Sequence, residues 1–192
     1  MKTKTVLLTL LLMSTSLFAQ SNNNWSLDFR SAGSYATKNL GDAELGLGLG
    51  YELTIAYKFM PHLSAYAGWG WNQFSSIESF AGSDLDVEET GYTLGFQFVH
   101  PLGETILSSF LRAGGIYNHI EIENNSGDII IDSGHGLGWQ VETGVAIAVS
   151  EQFQLVPSLR YRSLSRDLDT DKGSMSVDLN YLSAGVGFTW SF

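Results

Sequence analysis

The chain has 192 residues and is acidic, with ten lysines and arginines against twenty aspartates and glutamates and a formal net charge of −10 at pH 7. This balance argues against nucleic acid as a partner, because phosphate binding needs clustered Lys and Arg. There is no cysteine, which excludes a disulfide framework and a thiolate metal site. With 21 glycines and only 3 prolines, one domain of closely packed strands is the simplest expectation.

Residues 1–19 have the layout of a cleaved secretory signal peptide. Two lysines precede an apolar run from Val6 to Met13, and small polar residues lead to a candidate cleavage site after Ala19. The run is too short for a membrane-spanning helix, which needs about 20 apolar residues. We therefore predict a signal peptide at 1–19 and a single β-barrel domain at 20–192.

The rest of the chain divides into segments in which large apolar residues alternate with small or polar ones. The stretch 45–59, LGLGLGYELTIAYKF, keeps this alternation throughout, whereas an average soluble strand has only about five or six residues. Strands that cross a bilayer need about 9 to 11 residues. Eight such segments are predicted, at 25–36, 45–59, 63–74, 90–99, 105–119, 135–149, 153–166 and 176–192.

The connections between these segments alternate in length, as they do in bacterial outer-membrane barrels, which have short periplasmic turns and longer outer loops. The tight connections are at 60–62, 100–104 and 150–152, and the long polar ones at 37–44, 75–89, 120–134 and 167–175. No strand edge can stay unpaired in hydrocarbon, so the first segment must pair with the last. The predicted fold is all-β, an eight-stranded antiparallel up-and-down transmembrane β-barrel.

Charged residues within the segments fall on the side opposite the large apolar ones. An Arg or Lys facing lipid at the midplane costs about 2 to 4 kcal/mol, so these charges are expected to face the lumen. They are Asp28, Arg30, Glu52, Arg112, Glu142, Arg160 and Arg162. Since breaking a buried ion pair leaves an uncompensated charge, we predict that they form a structural network across the lumen.

Two segments fit this pattern less well. In 105–119, the parity that turns Arg112 inward also turns Ile106, Phe110 and Ile116 inward, which predicts a local bulge. Pro157 lies inside a segment although it cannot donate to a strand ladder. The missing bond is expected near the barrel rim, at a bulge.

The last residues, LSAGVGFTWSF, together with AYAGWGWNQF and QLVPSLRYRSLS, resemble the small outer-membrane β-barrel proteins. The similar proteins are the eight-stranded group that includes OmpX and the transmembrane domain of OmpA. In that family, an aromatic C-terminal strand ending on Phe is read by the barrel-insertion machinery, and Phe188, Trp190 and Phe192 match this signal. The resemblance implies a monomer in the outer membrane of a Gram-negative bacterium, with periplasmic termini and contacts to outer-membrane lipid and lipopolysaccharide.

Several functions are compatible with such a barrel. A structural or surface-interaction role with a filled lumen is favoured, and a narrow pore for ions or small solutes is the alternative. A lipid-modifying enzyme needs a nucleophile and a base in reach of each other, for which only His119 and His135 near Ser126 and Ser133 are candidates, so we predict no catalytic residue and no cofactor. A soluble ligand-binding barrel would have its charges outside, the reverse of this pattern.

Most of the carboxylates crowd the long connections. Solvated loops are the simplest interpretation, and divalent cations that bridge the loops to lipopolysaccharide are the functional alternative. The stretch 167–178, DLDTDKGSMSVD, spaces its aspartates like a calcium-binding loop. Its Gly173 comes one place late for the turn that such a loop requires, and we predict no metal site.

Overall fold

The computed structural model describes residues 24–41, 43–79, 82–124, 126–170 and 173–192, so the predicted signal peptide lies outside the described residues. No described residue belongs to a helix that is long and apolar enough to cross a membrane. Within the described residues the strands are β1 Trp25–Ala36, β2 Leu45–Met60, β3 Leu63–Ser79, β4 Gly82–Pro101, β5 Leu107–Glu123, β6 Ile129–Asp132, β7 Gly136–Ala148, β8 Phe153–Thr170 and β9 Gly173–Ser191.

Eight of these strands close into an antiparallel barrel, and the short β6 pairs with the far end of β5. Consecutive barrel strands are neighbours in the sheet, with β5 pairing directly with β7, and β1 pairs with β9 from Ser26↔Ser191 to Ala36↔Tyr181. The closure continues to the last residue, because Trp25 N donates to Phe192 O at 3.2 Å and Phe192 N donates to Trp25 O at 2.8 Å. The predicted fold, an eight-stranded up-and-down barrel, is confirmed.

At the end of the barrel that carries the long connections, the strands are longer than predicted. The predicted loops at 75–89 and 167–175 are wrong, since β3 with β4 and β8 with β9 continue as paired hairpin arms through most of both ranges. Among the residues of these arms whose side chains are described, the outward ones are polar, namely Ser75, Asp86, Glu88, Ser165 and Asp167. Residues 171 and 172 of the proposed calcium-like stretch lie outside the described residues.

The two segments that fit the sequence pattern less well form regular strands, β5 and β8, in the structure. β5 keeps one register against β4 and one against β7, so the predicted bulge is wrong; Phe110 and Ile116 simply point inward and are buried. Ile106 precedes the strand and is exposed. Pro157 interrupts the β7 to β8 ladder, whose pairs resume in the same register at Ile147↔Leu155, so the missing N–H is accommodated without a bulge.

The outer face carries the large apolar side chains. Leu94 is 67% exposed and Leu49 is 61% exposed. A whole band of apolar residues this exposed is rare on a surface that faces water, but a surface that contacts lipid requires it. Aromatic rings lie at the short-turn end of this band, where Trp25 and Tyr57 have centroids 4.8 Å apart and Phe153 and Phe188 are stacked at 5.3 Å. Aromatic residues are enriched at membrane interfaces because one part of the ring is apolar and another polar.

A charge on the middle of this outer face is expected to destabilise the barrel. Leu53 lies near the middle of β2, and Leu53→Arg is expected to lower the free energy of unfolding in lipid vesicles by about 2–4 kcal/mol. The matched control is Leu47→Arg, on the same face but nearer the long connection between β1 and β2. It should lower the free energy of unfolding by only about 0–1 kcal/mol. Urea unfolding followed by tryptophan fluorescence measures both, and equal losses would contradict the depth dependence.

Candidate functional site

The structure places all seven predicted charges inside the barrel, each at most 4% exposed. They come from five strands and meet near the middle of the lumen, because each stands on the inward parity of its strand. Together with Glu89 of β4 they form what we call the charged layer. Its members are Asp28, Arg30, Glu52, Glu89, Arg112, Glu142, Arg160 and Arg162.

Glu52 is the centre of the charged layer and accepts from three arginines. Arg112 Nη1 lies 3.2 Å from Glu52 Oε1, while Arg160 Nη1 and Arg162 Nη2 lie 3.1 Å and 2.8 Å from Oε2. One carboxylate thereby joins β5 and β8 to β2 across the lumen. Charge-assisted bonds of this kind are the strong class of protein hydrogen bond.

Asp28 and Glu142 hold the part of the layer nearer the chain termini. Asp28 Oδ2 accepts from Arg112 Nη2 at 3.2 Å and from Thr54 Oγ1 at 3.1 Å. Arg30 Nε lies 3.2 Å from Glu142 Oε1, and Ser158 Oγ donates to the same oxygen at 2.6 Å. The carboxylates are therefore bonded to hydroxyls as well as to arginines.

Sequence reasoning missed Glu89, which it assigned to an acidic loop. The residue is fully buried, and its carboxylate accepts from Arg162 Nη1 at 2.9 Å, from Tyr181 Oη at 2.6 Å and also from Asn118. The signal was its parity, because Glu89 alternates in phase with the inward Thr93 and Gln97. Extending the segment upstream of residue 90 would have turned it inward.

The described charged layer contains four carboxylates and four arginines, so it is electrically balanced. A fifth buried arginine, Arg166, lies farther out and bonds backbone carbonyls instead. Its Nε and Nη2 donate to Asn118 O at 2.9 Å and 2.7 Å, and Nη1 donates to Leu137 O at 3.0 Å. Arg166 is the last residue of the predicted segment 153–166 but was not counted among the lumen charges, although it shares the inward parity of Arg160 and Arg162.

Aromatic rings pack against the arginines within the layer. The Arg112 guanidinium lies 4.1 Å from the Tyr66 ring centroid and 5.7 Å from that of Phe110, and Arg30 lies 5.2 Å from Phe110. A desolvated cation over an aromatic face is stabilised by the ring quadrupole. The inward Phe110, which made β5 look irregular, thus has a partner in the lumen.

An apolar layer fills the lumen between the charged layer and the long connections. The sequence pattern turned Ile116 inward but did not predict the layer, since small and polar residues were expected on most of the inward face. Two members, Leu40 and Ala43, come from the connection between β1 and β2, where they pair with N to O distances of 3.0 Å in both directions. The buried members are Leu40, Ala43, Leu45, Phe74, Leu85, Val87, Ile116, Ile120, Ile122, Leu164, Leu168, Val177, Leu179 and Tyr181.

The short-turn end of the barrel has a recess of about 770 Å³. Lys58, Gln97 and Thr189 are among the residues that line it. Gln97 Oε1 accepts from Arg112 at 2.6 Å, and Thr189 Oγ1 donates to Asp28 at 2.5 Å. Gln97 and Thr189 therefore connect the recess to the charged layer.

The three residues of the predicted insertion signal lie at this same end. Phe188 and Trp190 point outward and are 45% and 40% exposed, and Phe192 is half-buried. The rings of Trp190 and Phe192 are 4.9 Å apart, and Phe188 pairs with Phe29 of β1. The signal residues thus form part of the closing seam of the barrel.

The histidines considered as catalytic lie beyond the aromatic band, His119 on the outer face of β5 and His135 in the connection between β6 and β7. His119 and His135 are stacked, with centroids 4.4 Å apart, and His119 Nδ1 lies 3.2 Å from Asp132 Oδ1. The Ser133 hydroxyl donates to Gly134 O at 2.9 Å and accepts from Ile120 N at 2.8 Å. It is thus bonded to the backbone on both sides rather than aimed at an imidazole.

A group of carboxylates surrounds these histidines. Glu88 is paired with Glu121, and Asp86 with Glu123, directly across β4 and β5. Like charges in such positions repel each other. Burial, together with the neighbouring carboxylates Glu88, Glu121 and Asp86, raises the pKa of Glu123.

A closed eight-stranded barrel with an apolar exterior and a balanced, buried charged layer defines a bacterial outer-membrane β-barrel protein. The family model described as outer membrane protein beta-barrel domain matches residues 5–192, and the chain belongs to this family. No curated protein sequence matches the chain.

Solved structures of small outer-membrane barrels share the fold at low sequence identity. Neisserial surface protein A is 14% identical with a TM-score of 0.63, over 88% of this chain and 97% of that one. The outer membrane protein AlkL is 15% identical with a TM-score of 0.60, over 91% and 94%. Outer membrane protein W of E. coli is 16% identical with a TM-score of 0.57, over 88% and 97%.

Removing the central carboxylate of the charged layer is expected to destabilise the barrel strongly. Glu52→Gln keeps the shape but leaves three arginines without their shared partner, and breaking a buried pair in this way costs about 3–5 kcal/mol. Urea unfolding in lipid vesicles measures the loss. Glu44→Gln removes an exposed carboxylate and should stay within about 0.5 kcal/mol of the wild type; similar losses for both variants would contradict a central role for Glu52.

Proposed function

We propose that the protein is a non-enzymatic outer-membrane barrel whose interior is closed, and that it acts structurally and through the surface of its outer loops. The observation that carries this proposal is the double filling of the lumen, by the charged layer and by the apolar layer above it. An eight-stranded barrel is narrow enough for side chains to fill it. Two layers of different chemistry then oppose the passage of different solutes.

The charged layer opposes passage because each of its four carboxylates is already bonded to an arginine or a hydroxyl. An ion entering from the recess meets Arg112 and Asp28, which already hold Gln97 and Thr189. To continue, it must displace arginines from Glu52 or Glu89, and a buried charge that loses its partner is strongly disfavoured. The apolar layer adds a second barrier, since a hydrated ion would lose its water among leucine, isoleucine and phenylalanine side chains.

A narrow pore is the second candidate function, and the recess favours it. The recess opens at the short-turn end and is lined by Gln97 and Thr189, which bond the charged layer. A rearrangement of Glu52 against the arginines would be the gate. This candidate also requires the connection that holds Leu40 and Ala43 to leave the apolar layer. The closed role needs neither movement, and for that reason we prefer it.

Recording in planar lipid bilayers separates the two candidates. The refolded wild type, checked by its different gel mobility when unboiled and boiled, is expected to show no stable unitary current steps in concentrated potassium chloride. Arg160→Gln, which removes one of the two arginines that bond Glu52 Oε2, is the comparison variant. Regular steps in the wild type whose conductance changes in Arg160→Gln would contradict the closed interior and establish a pore.

We further propose that the protein is a monomer of the Gram-negative outer membrane with both termini in the periplasm. The short turns on the side of the termini and the long hairpin arms opposite support this orientation. On this view Phe188, Trp190 and Phe192 are read by the barrel-insertion machinery, the outward apolar band contacts outer-membrane lipid, and the acidic arms face lipopolysaccharide.

Single cysteines test the orientation, because the chain has none of its own. Ser126→Cys, in the connection between β5 and β6, is expected to react on intact cells with a bulky maleimide that does not cross the outer membrane. Ser150→Cys, in the turn between β7 and β8, should react only after the membrane is permeabilised. Both positions are exposed, so the reverse labelling pattern would place the termini outside.

A further inference from the structure

We propose that His119, Glu121 and Asp132 form a binding site for one divalent transition-metal ion, of which Zn²⁺ is the type, on the outer face of the barrel. The site lies on the hairpin arm of β5 beyond the aromatic band, away from the charged layer in the lumen. It is independent of the closed-barrel proposal, and either can fail without the other.

The separations of the donor atoms suit a tetrahedral ion. His119 Nδ1 lies 3.2 Å from Asp132 Oδ1 and 3.6 Å from Glu121 Oε1, and the three donor atoms all lie within 4.8 Å of one another. Zinc binds imidazole nitrogen and carboxylate oxygen at about 2.0–2.2 Å, so two of its tetrahedral ligands stand roughly 3.4 Å apart. The two distances to the imidazole bracket this value.

Strand pairing fixes the three residues on one face. His119 and Glu121 are alternate residues of β5 and therefore point the same way. The four-residue β6 pairs Asp132 directly with Glu121, and Asp132 Oδ1 also accepts from Gly134 N at 2.8 Å. The turn that follows Asp132 thus holds its carboxylate in place. Ion binding would therefore fix few additional side-chain torsions.

The His119 ring is oriented by its aromatic neighbours. His135 stacks on it at 4.4 Å with an interplanar angle of 13°, and Tyr117 lies 5.2 Å from His135 on the aromatic band below. A ligand held in place by packing loses little rotamer freedom on binding. His119 remains 15% exposed and Asp132 49% exposed, which leaves the fourth position of a tetrahedral ion open to water or to an external donor.

The local charge favours a cation, and the imidazole selects its class. Within the described residues, His119 is the one group that forms an ion pair with Glu121 or Asp132, while Glu88 faces Glu121 across the sheet. Carboxylates alone suit Ca²⁺ and Mg²⁺, whereas an imidazole in the donor set favours zinc and its neighbours in the first row. A protonated His119 bonded to the two carboxylates is the competing arrangement.

The test uses the full barrel refolded in detergent micelles and Zn²⁺ titrated against a zinc-chelating dye. We expect one Zn²⁺ per chain in the wild type, and an affinity at least about 10- to 100-fold lower in Asp132→Asn and in His119→Ala, since even substitutions behind the ligands cost that much. Asp132→Asn keeps an oxygen for Gly134 N and should fold, as its unboiled gel mobility will show. His100→Ala, which removes a histidine from the short-turn end, is the matched control and should leave the affinity unchanged.

Three outcomes would overturn the site. The first is a wild type that binds no Zn²⁺ in competition with the dye. The second is Zn²⁺ binding that survives unchanged in both His119→Ala and Asp132→Asn. The third is Ca²⁺ binding as tight as that of Zn²⁺ and insensitive to His119→Ala, which would assign the cation to the carboxylates Glu88, Glu121 and Glu123.

Discussion

The backbone pairing between β1 and β9 is the constraint on which the rest of the structure depends. In hydrocarbon each backbone N–H and C=O needs a partner, so a sheet must close on itself. Closure at eight strands makes a narrow lumen, and strand alternation then sends every second side chain into it. Polar and charged side chains on that parity must find their partners inside the lumen, which is why Glu52 meets three arginines.

The lumen contains a charged layer and an apolar layer because the outer face of the barrel has different surroundings at the two depths. The charged layer spans the depth at which the exterior is apolar, and there the lumen is the one place where Asp28 or Arg112 avoids lipid. Beyond the band the outer face is polar and wet, so the inward parity is free to hold a small apolar core of the soluble kind. That core, which includes Leu40 from the connection between β1 and β2, packs together the extended hairpin arms that the sequence suggested were loops.

The sequence was sufficient for the fold and for most of the charged layer, because both follow from one rule, a two-residue period with charges kept from lipid. Glu52 and Arg162 were found by that rule alone. Glu89 was not, because its segment was started at residue 90, where the apolar outer face begins, although the inward parity extends upstream. Arg166 was not, because it is the terminal residue of its predicted segment and was grouped with the charges of the adjoining connection. The pairing of Asp132 with Glu121 depends on a four-residue strand inside a connection, and a stretch that short has no periodicity from which to predict it.

The placement of the apolar layer also decides how the charged layer experiences the medium. At ordinary ionic strength, dissolved ions screen exposed charges that are more than about 8 to 10 Å apart, but here hydrocarbon side chains close the lumen at the end of the long connections and lipid surrounds its wall. Screening enters only through the recess, where Gln97 and Thr189 stand between the solution and the nearest charges. The ion pairs of Arg112 and Asp28 should therefore respond to the ionic strength of the compartment at the short-turn end. The ionic strength around the loops should not affect the charged layer.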